Sequence, residues 1–157
     1  MLRIYCDTGA YRPELAAFER EGVISIQQFK YENRNRRIKR TALPSNPTWK
    51  EVNYTWAEMK SDPNISKITW DSVGQTSDRY REILQVVGDQ NVVDAKHLDS
   101  AFRAGCDVFL TNDKDDIWSR RKPLSSLTGM KVLHVIDDWR SLIALIDVHR
   151  VASKSAE

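Results

Sequence analysis

Apolar and polar positions alternate in short blocks along the chain, and the blocks switch between the two-residue period of a strand and the three-to-four-residue period of a helix. Leu2 to Cys6, with Ile4 and Tyr5 inside it, reads as a first strand that stops at Asp7-Thr8-Gly9. Pro13 opens a helix carried by Leu15, Ala16, Phe18 and Glu19 up to Gly22, and Val23 to Ile26 returns to a strand. From Tyr31 to Ala42 polar and basic residues dominate, with Ile38 and Leu43 as apolar punctuation, so a helix with one largely solvated face is expected there. Pro44-Ser45-Asn46-Pro47 ends it. Trp49, Val52, Trp56 and Met59 predict a further helix over 48–60, broken at Asp62-Pro63-Asn64.

Ile68-Thr69-Trp70 predicts a third strand, and Ser77 to Val87 a helix with Tyr80, Ile83, Leu84 and Val87 inward and Gly88 as its stop. The next helix is expected to begin near Asp94, to bury Ala95, Leu98, Ala101 and Phe102, and to end at Gly105. Val108 to Leu110 is short and fully apolar, as in a buried parallel strand, and it ends at Thr111-Asn112-Asp113. Met130 to Ile136 predicts a fifth strand, and Asp137 caps a last helix through Leu142, Leu145 and Ile146. Strands alternating with helices predict an α/β fold, a three-layer α/β/α sandwich around a mainly parallel five-stranded sheet.

Composition narrows this further. The chain of 157 residues is the length of one domain, expected over residues 1–150, with 151–157 as a frayed polar tail. Hydrophobic residues at 41% and charged residues at 29% exclude disordered, collagen-like and disulfide-scaffold classes. A formal net charge of +2 does not by itself imply a polyanionic partner. Cys6 and Cys106 lie far apart in apolar surroundings and read as reduced core residues. No apolar run reaches the roughly 18 residues of a membrane span, and the N-terminus lacks a signal-peptide pattern, so no membrane partner and a cytoplasmic location are expected.

Candidate chemistry follows from where the acids fall. Open parallel sheets gather functional groups beyond the C-terminal ends of their strands, and two strands here end at Asp7 and Asp113. Asp94 adds an acid at the start of a helix, where it can cap and ligate together, and Glu32 follows the second strand, reading equally as a ligand or a surface acid. Carboxylates without His or Cys among them favour a hard cation, Mg²⁺ or Mn²⁺, over zinc. Thr8, Thr111 and Asn112 are candidate supporting groups, and Asp116, three residues beyond Asp113, is a candidate fifth acid. Asp99 reads as a solvated helix residue, while His97, His134 and His149 fall on separate elements and read as packing or surface residues. Between 30 and 40, Lys30, Arg34, Arg36, Arg37, Lys39 and Arg40 oppose only Glu32, a local excess of five positive charges suited to a phosphate backbone. A haloacid-dehalogenase-type phosphatase would need a second Asp where Gly9 stands.

Asp94-Ala95-Lys96-His97-Leu98-Asp99-Ser100-Ala101, followed by Ala104-Gly105-Cys106-Asp107-Val108-Phe109-Leu110-Thr111-Asn112-Asp113, closely resembles the C-terminal signature of PIN-domain nucleases. Ile4-Tyr5-Cys6-Asp7-Thr8 is similar to that family's opening strand and first acid. The resemblance implies a PIN-like fold and a metal-dependent endoribonuclease similar to the VapC-type toxins of toxin–antitoxin pairs. Carried over by position, it makes Asp7, Glu32, Asp94 and Asp113 the four catalytic acids, with Asp7, Asp94 and Asp113 on Mg²⁺ or Mn²⁺. It also implies RNA as the substrate, met by Arg34, Arg36, Arg37 and Arg40, with an antitoxin or other inhibitor protein and a second copy of the chain as partners. The competing reading is a PIN fold without nuclease activity that binds RNA or protein.

Replacing Arg36, Arg37 and Arg40 together with Ser is expected to weaken RNA binding and flatten its dependence on salt, because fewer counterions leave the RNA backbone. Binding isotherms across a salt series check this, and an unchanged slope returns the three residues to a plain solvated face.

Overall fold

The computed structural model describes residues 1–7, 9–27 and 76–154. Within them the elements run β1 (Leu2–Cys6), α1 (Leu15–Arg20), β2 (Ile24–Gln27), α2 (Tyr80–Val87), α3 (Val92–Arg103), β3 (Val108–Thr111), a 3₁₀ turn (Trp118–Arg120), α4 (Arg121–Thr128), β4 (Lys131–His134) and α5 (Trp139–Lys154). The four strands form one parallel sheet in the order β2-β1-β3-β4, flanked by helices. The helices expected over 31–42 and 48–60 and the strand expected at 68–70 lie outside the described residues.

The alternation of side chains along each strand divides the core in two. Leu2, Ile4 and Cys6 of β1, Ile24 and Ile26 of β2, and Val108 and Leu110 of β3 meet Leu15 of α1 and Leu142 and Ile146 of α5 on one face. On the other face, Tyr5, Phe109 and Val132 meet Ile83 and Val87 of α2, Ala95, Leu98 and Ala101 of α3, and Leu124 of α4. Pairing of Tyr5 with Phe109 and of Phe109 with Val132 lines these side chains up in a row across the sheet. The Tyr5 and Phe109 rings stack at 5.0 Å between centroids. All four residues of β3 are buried, as its unbroken apolar run predicts for a strand covered on both faces. Both cysteines are buried and unbridged, as expected.

Several local expectations are corrected. The helix expected from Ser77 starts at Tyr80, because the Ser77 backbone N–H donates to the Asp99 carboxylate at 3.1 Å and 3.2 Å and its hydroxyl donates to the same group. Asp99 is therefore a buried anchor and not a solvated residue. The helix expected near Asp94 starts at Val92, which places Asp94 in its first turn instead of at the cap. Residues 114–129, to which the sequence pattern assigns no element, contain the 3₁₀ turn and α4. Pro123 sits in the first turn of α4, where its missing N–H costs nothing, and Gly129 ends the helix with φ of 76°. Asp137, expected to cap the last helix, instead pairs with Lys114 Nζ at 2.7 Å, two residues before Trp139 opens α5. That helix continues to Lys154, into the segment expected to fray. No helix among the described residues is long and apolar enough to cross a membrane.

Phe109→Ala removes the central member of the row and leaves a cavity between β3 and the α2–α4 face. It is expected to lower unfolding free energy by about 3–5 kcal/mol, as read by denaturant titration.

Candidate metal centre

The C-terminal ends of β1, β3 and β4 and the first turn of α3 surround one open cleft. Asp7, Asp94, His97, Asn112, Asp113 and His134 line it, and the exposed aliphatic side chains of Val93 and Ile136 contribute apolar rim. Parallel pairing puts the strand ends side by side: the Asp7 N–H donates to the Leu110 carbonyl at 2.9 Å, and the Val135 N–H donates to the Thr111 carbonyl at 2.9 Å. Each hydrogen-bonded ladder thus continues one step past its strand into the cleft.

Thr111 joins the acids. Its buried hydroxyl donates to Asp7 Oδ2 at 3.0 Å and accepts the backbone N–H of Asp113 at 3.0 Å. Asp113 then turns the chain back on itself, since its Oδ1 accepts the Asp116 N–H at 2.8 Å and its carbonyl accepts the Trp118 N–H at 3.0 Å. The turn returns the Asp116 side chain to the neighbourhood of Asp113. Arg120 fixes it there, with Nη1 donating to the Asp116 carbonyl at 2.6 Å and to its Oδ1 at 3.3 Å.

The result is a trio of half-buried acids, Asp94, Asp113 and Asp116, each with a carboxylate oxygen within 4.8 Å of the others. Asp7 lines the same cleft beside the trio. Asp94 registers the crowding: its carboxyl is pushed up to about 6, first by burial, then by the charges of Asp7 and Asp113, with Asp116 adding to them and His97 opposing. A donor set made only of carboxylate oxygens fits a hard divalent ion, and the mutual repulsion of the acids is what such an ion would relieve. The arrangement can therefore hold a metal.

Of the acids expected from the sequence, the structure brings Asp94, Asp113 and Asp116, the last expected as a supporting acid, into the close trio, and Thr111 holds Asp7 at its side. Asn112 is exposed at the cleft, and Thr111, the residue before it, is buried. Thr8, Glu32, Arg34, Arg36, Arg37 and Arg40 lie outside the described residues. His97 and His134, read from the sequence as packing or surface residues, are both buried and both line the cleft. His97 stands three residues after Asp94 on α3, a helical spacing that could have revealed it. His134 is brought in by its pairing with Thr111 across β3 and β4, and no local spacing signals that register. Beneath the rim, Asp138 Oδ2 accepts both the Trp118 indole N–H at 2.6 Å and the His134 backbone N–H at 2.9 Å, tying the 3₁₀ turn to β4.

An acid whose folded-state pKa is raised binds its proton more tightly folded than unfolded, so its contribution to stability is complete below pH about 4 and is lost as pH rises through about 6. Asp94→Asn is accordingly expected to raise the melting temperature of the metal-free protein at pH 7, with the gain vanishing by pH 4. The same variant is expected to lose the stabilisation that Mn²⁺ gives the parent at pH 7. Thermal melts at the two pH values, with Mn²⁺ and with EDTA, check both signs. Comparisons of the chain with protein-family models, curated proteins and solved structures return no match.

Proposed function

We propose that this chain is a Mg²⁺- or Mn²⁺-dependent endoribonuclease of the PIN type. The observation that supports it most is the approach of Asp94, Asp113 and Asp116 to within 4.8 Å of one another at the C-terminal edge of a parallel sheet. A second support is that the segments resembling the PIN signature, residues 94–101 and 104–113, are those that supply two of the three acids. When bound, a divalent ion supplies Lewis acidity toward a phosphodiester and activates water for in-line attack.

The chain's own groups supply the rest. Asp94, Asp113 and Asp116 offer oxygen ligands, and the Thr111 hydroxyl holds Asp7 oriented at their side. Asn112 and Lys114 line the cleft with hydrogen-bond donors of the type that bind phosphate oxygens. Lys114 is paired with Asp137 at 2.7 Å, which fixes its ammonium at the rim. The cleft is open, as a polymeric substrate requires. On this reading the fold is a three-layer PIN-like sandwich completed by a fifth strand, Glu32 adds a further acid, and the basic stretch from Arg34 to Arg40 meets the RNA backbone. A role as the toxin of a toxin–antitoxin pair, with an inhibitor protein and a homodimer, extends the same reading.

Asp94→Asn and Asp113→Asn keep size and most hydrogen bonding but remove the charge that holds a cation. Each is expected to stay folded and to cut labelled single-stranded RNA at least about a hundredfold more slowly than the parent, with EDTA silencing the parent. If Asp94→Asn cuts as fast as the parent and EDTA changes neither rate, the chain is an inert binding module instead.

A further inference from the structure

Three cations follow the acidic turn in succession, and they are not equivalent. Arg121 lies over the Trp118 ring, 4.1 Å from its centroid, and Lys122 is exposed on the first turn of α4. Arg120 folds back onto the acids instead. Its Nη1 donates to the Asp115 carbonyl at 3.1 Å, to the Asp116 carbonyl at 2.6 Å and to Asp116 Oδ1 at 3.3 Å. That nitrogen, with two hydrogens for three acceptors, is fully used. The other N–H groups of the guanidinium, on Nε and Nη2, bond to no other described residue. They are not sealed in the core either: among the described residues the buried side-chain nitrogen or oxygen without a partner is Arg150 Nε, and the Arg120 side chain is 33% exposed. Bracing the turn therefore occupies one arm of a forked donor and leaves the other accessible. The Asp116 carboxylate that Arg120 touches also comes within 4.8 Å of Asp94 and Asp113, so the accessible arm belongs to a permanent positive charge at the border of the trio. Lys114, which lines the cleft, is instead paired with Asp137. A planar fork beside an acidic cleft suits the paired oxygens of a phosphate.

We infer that Arg120 is a substrate-contacting residue: braced through Nη1 on the acidic turn, it gives its Nε and Nη2 hydrogens to non-bridging phosphate oxygens of RNA bound at the trio. The inference rests on the nuclease reading above and names a contact that reading does not include. Asp116 is then shared by two positive charges, the divalent ion it would hold with Asp94 and Asp113 and the guanidinium at its Oδ1. The carbonyls of Asp115 and Asp116 hold the guanidinium in place whether or not that carboxylate is drawn to the ion.

Binding of a short single-stranded RNA of mixed sequence to the intact chain, across a salt series with Ca²⁺ in place of Mg²⁺, tests this without relying on turnover. Arg120→Gln is expected to weaken binding and to flatten the slope of log affinity against log salt by about 0.7, the share of one phosphate contact on a single strand. Lys122→Gln, which removes the same charge two residues away, is expected to leave the slope unchanged. The stabilisation by Mn²⁺ is expected to survive in Arg120→Gln, because the three acids remain. In cleavage assays Arg120→Gln is expected to lower kcat/KM by about tenfold or more. A measurement on the parent alone covers the case in which that variant does not fold: the Nε–H NMR signal of Arg120 is expected to move when the RNA is added. An unchanged slope in Arg120→Gln, an equal change in Lys122→Gln, or an Nε–H signal that ignores RNA overturns the proposal. So does loss of the Mn²⁺ stabilisation in Arg120→Gln, which makes Arg120 a brace for Asp116 only. A parent that cuts RNA beside an Arg120→Gln variant that cuts as fast overturns the contact and leaves the nuclease reading standing. A flattened slope and a shifted Nε–H signal in a parent that does not cut RNA support the contact while overturning the nuclease reading.

Discussion

Like charges do not gather unless something compels them, and at this sheet edge the compulsion is the parallel pairing of β1 with β3. The pairing of Cys6 with Leu110 sets Asp7 and Thr111 side by side, and one buried hydroxyl then bonds the carboxylate of the first and the backbone of Asp113. From that junction the chain turns through Asp113 and Asp116 and enters the 3₁₀ turn. Removing the Thr111 hydroxyl would take from Asp7, a buried carboxylate, a hydrogen bond that orients it. The Lys114–Asp137 and Arg120–Asp116 pairs beside it are surface ion pairs of small worth.

The repulsion among the acids is carried by the apolar rows beneath them. Tyr5, Phe109 and Val132 on one face and Ile4, Val108 and Leu110 on the other bind the strands to helices on both sides. Burial of this kind provides kilocalories per side chain. Burial and the charges of Asp7, Asp113 and Asp116 raise the Asp94 carboxyl, so the cost falls within the cleft. Such a balance, in which a stable core holds a costly polar cluster, makes the cleft a candidate site.

The elements of the described region were legible in the sequence where periodicity was strong. β1, β3 and the body of α3 fall where the apolar pattern places them, and Gly22, Gly88 and Gly105 each follow a helix with positive φ. The pattern failed at α4, whose Arg121-Lys122-Pro123 opening and two serines hide a helix that buries only Leu124 and Thr128. It also misjudged Asp99, because a lone acid on a helix face looks solvated until its partner, here Ser77 from before α2, is known.

The candidate site divides along the same line. By itself the sequence determined which acids end strands or open a helix, because hydrophobic periodicity marks element boundaries and the acids at those boundaries are local facts. It determined Asp7, Asp94 and Asp113 in this way, along with the oxygen-only chemistry they share. Only the tertiary structure decided that Asp116 joins Asp94 and Asp113 while Asp7 stands beside them, and that His97 and His134 face the same cleft. Those outcomes depend on strand register, on a turn closed by backbone hydrogen bonds, and on a tyrosine reaching a histidine ninety-two positions away. Contacts between residues so distant in sequence leave no periodic trace, since each partner's own neighbourhood is already explained by its local packing.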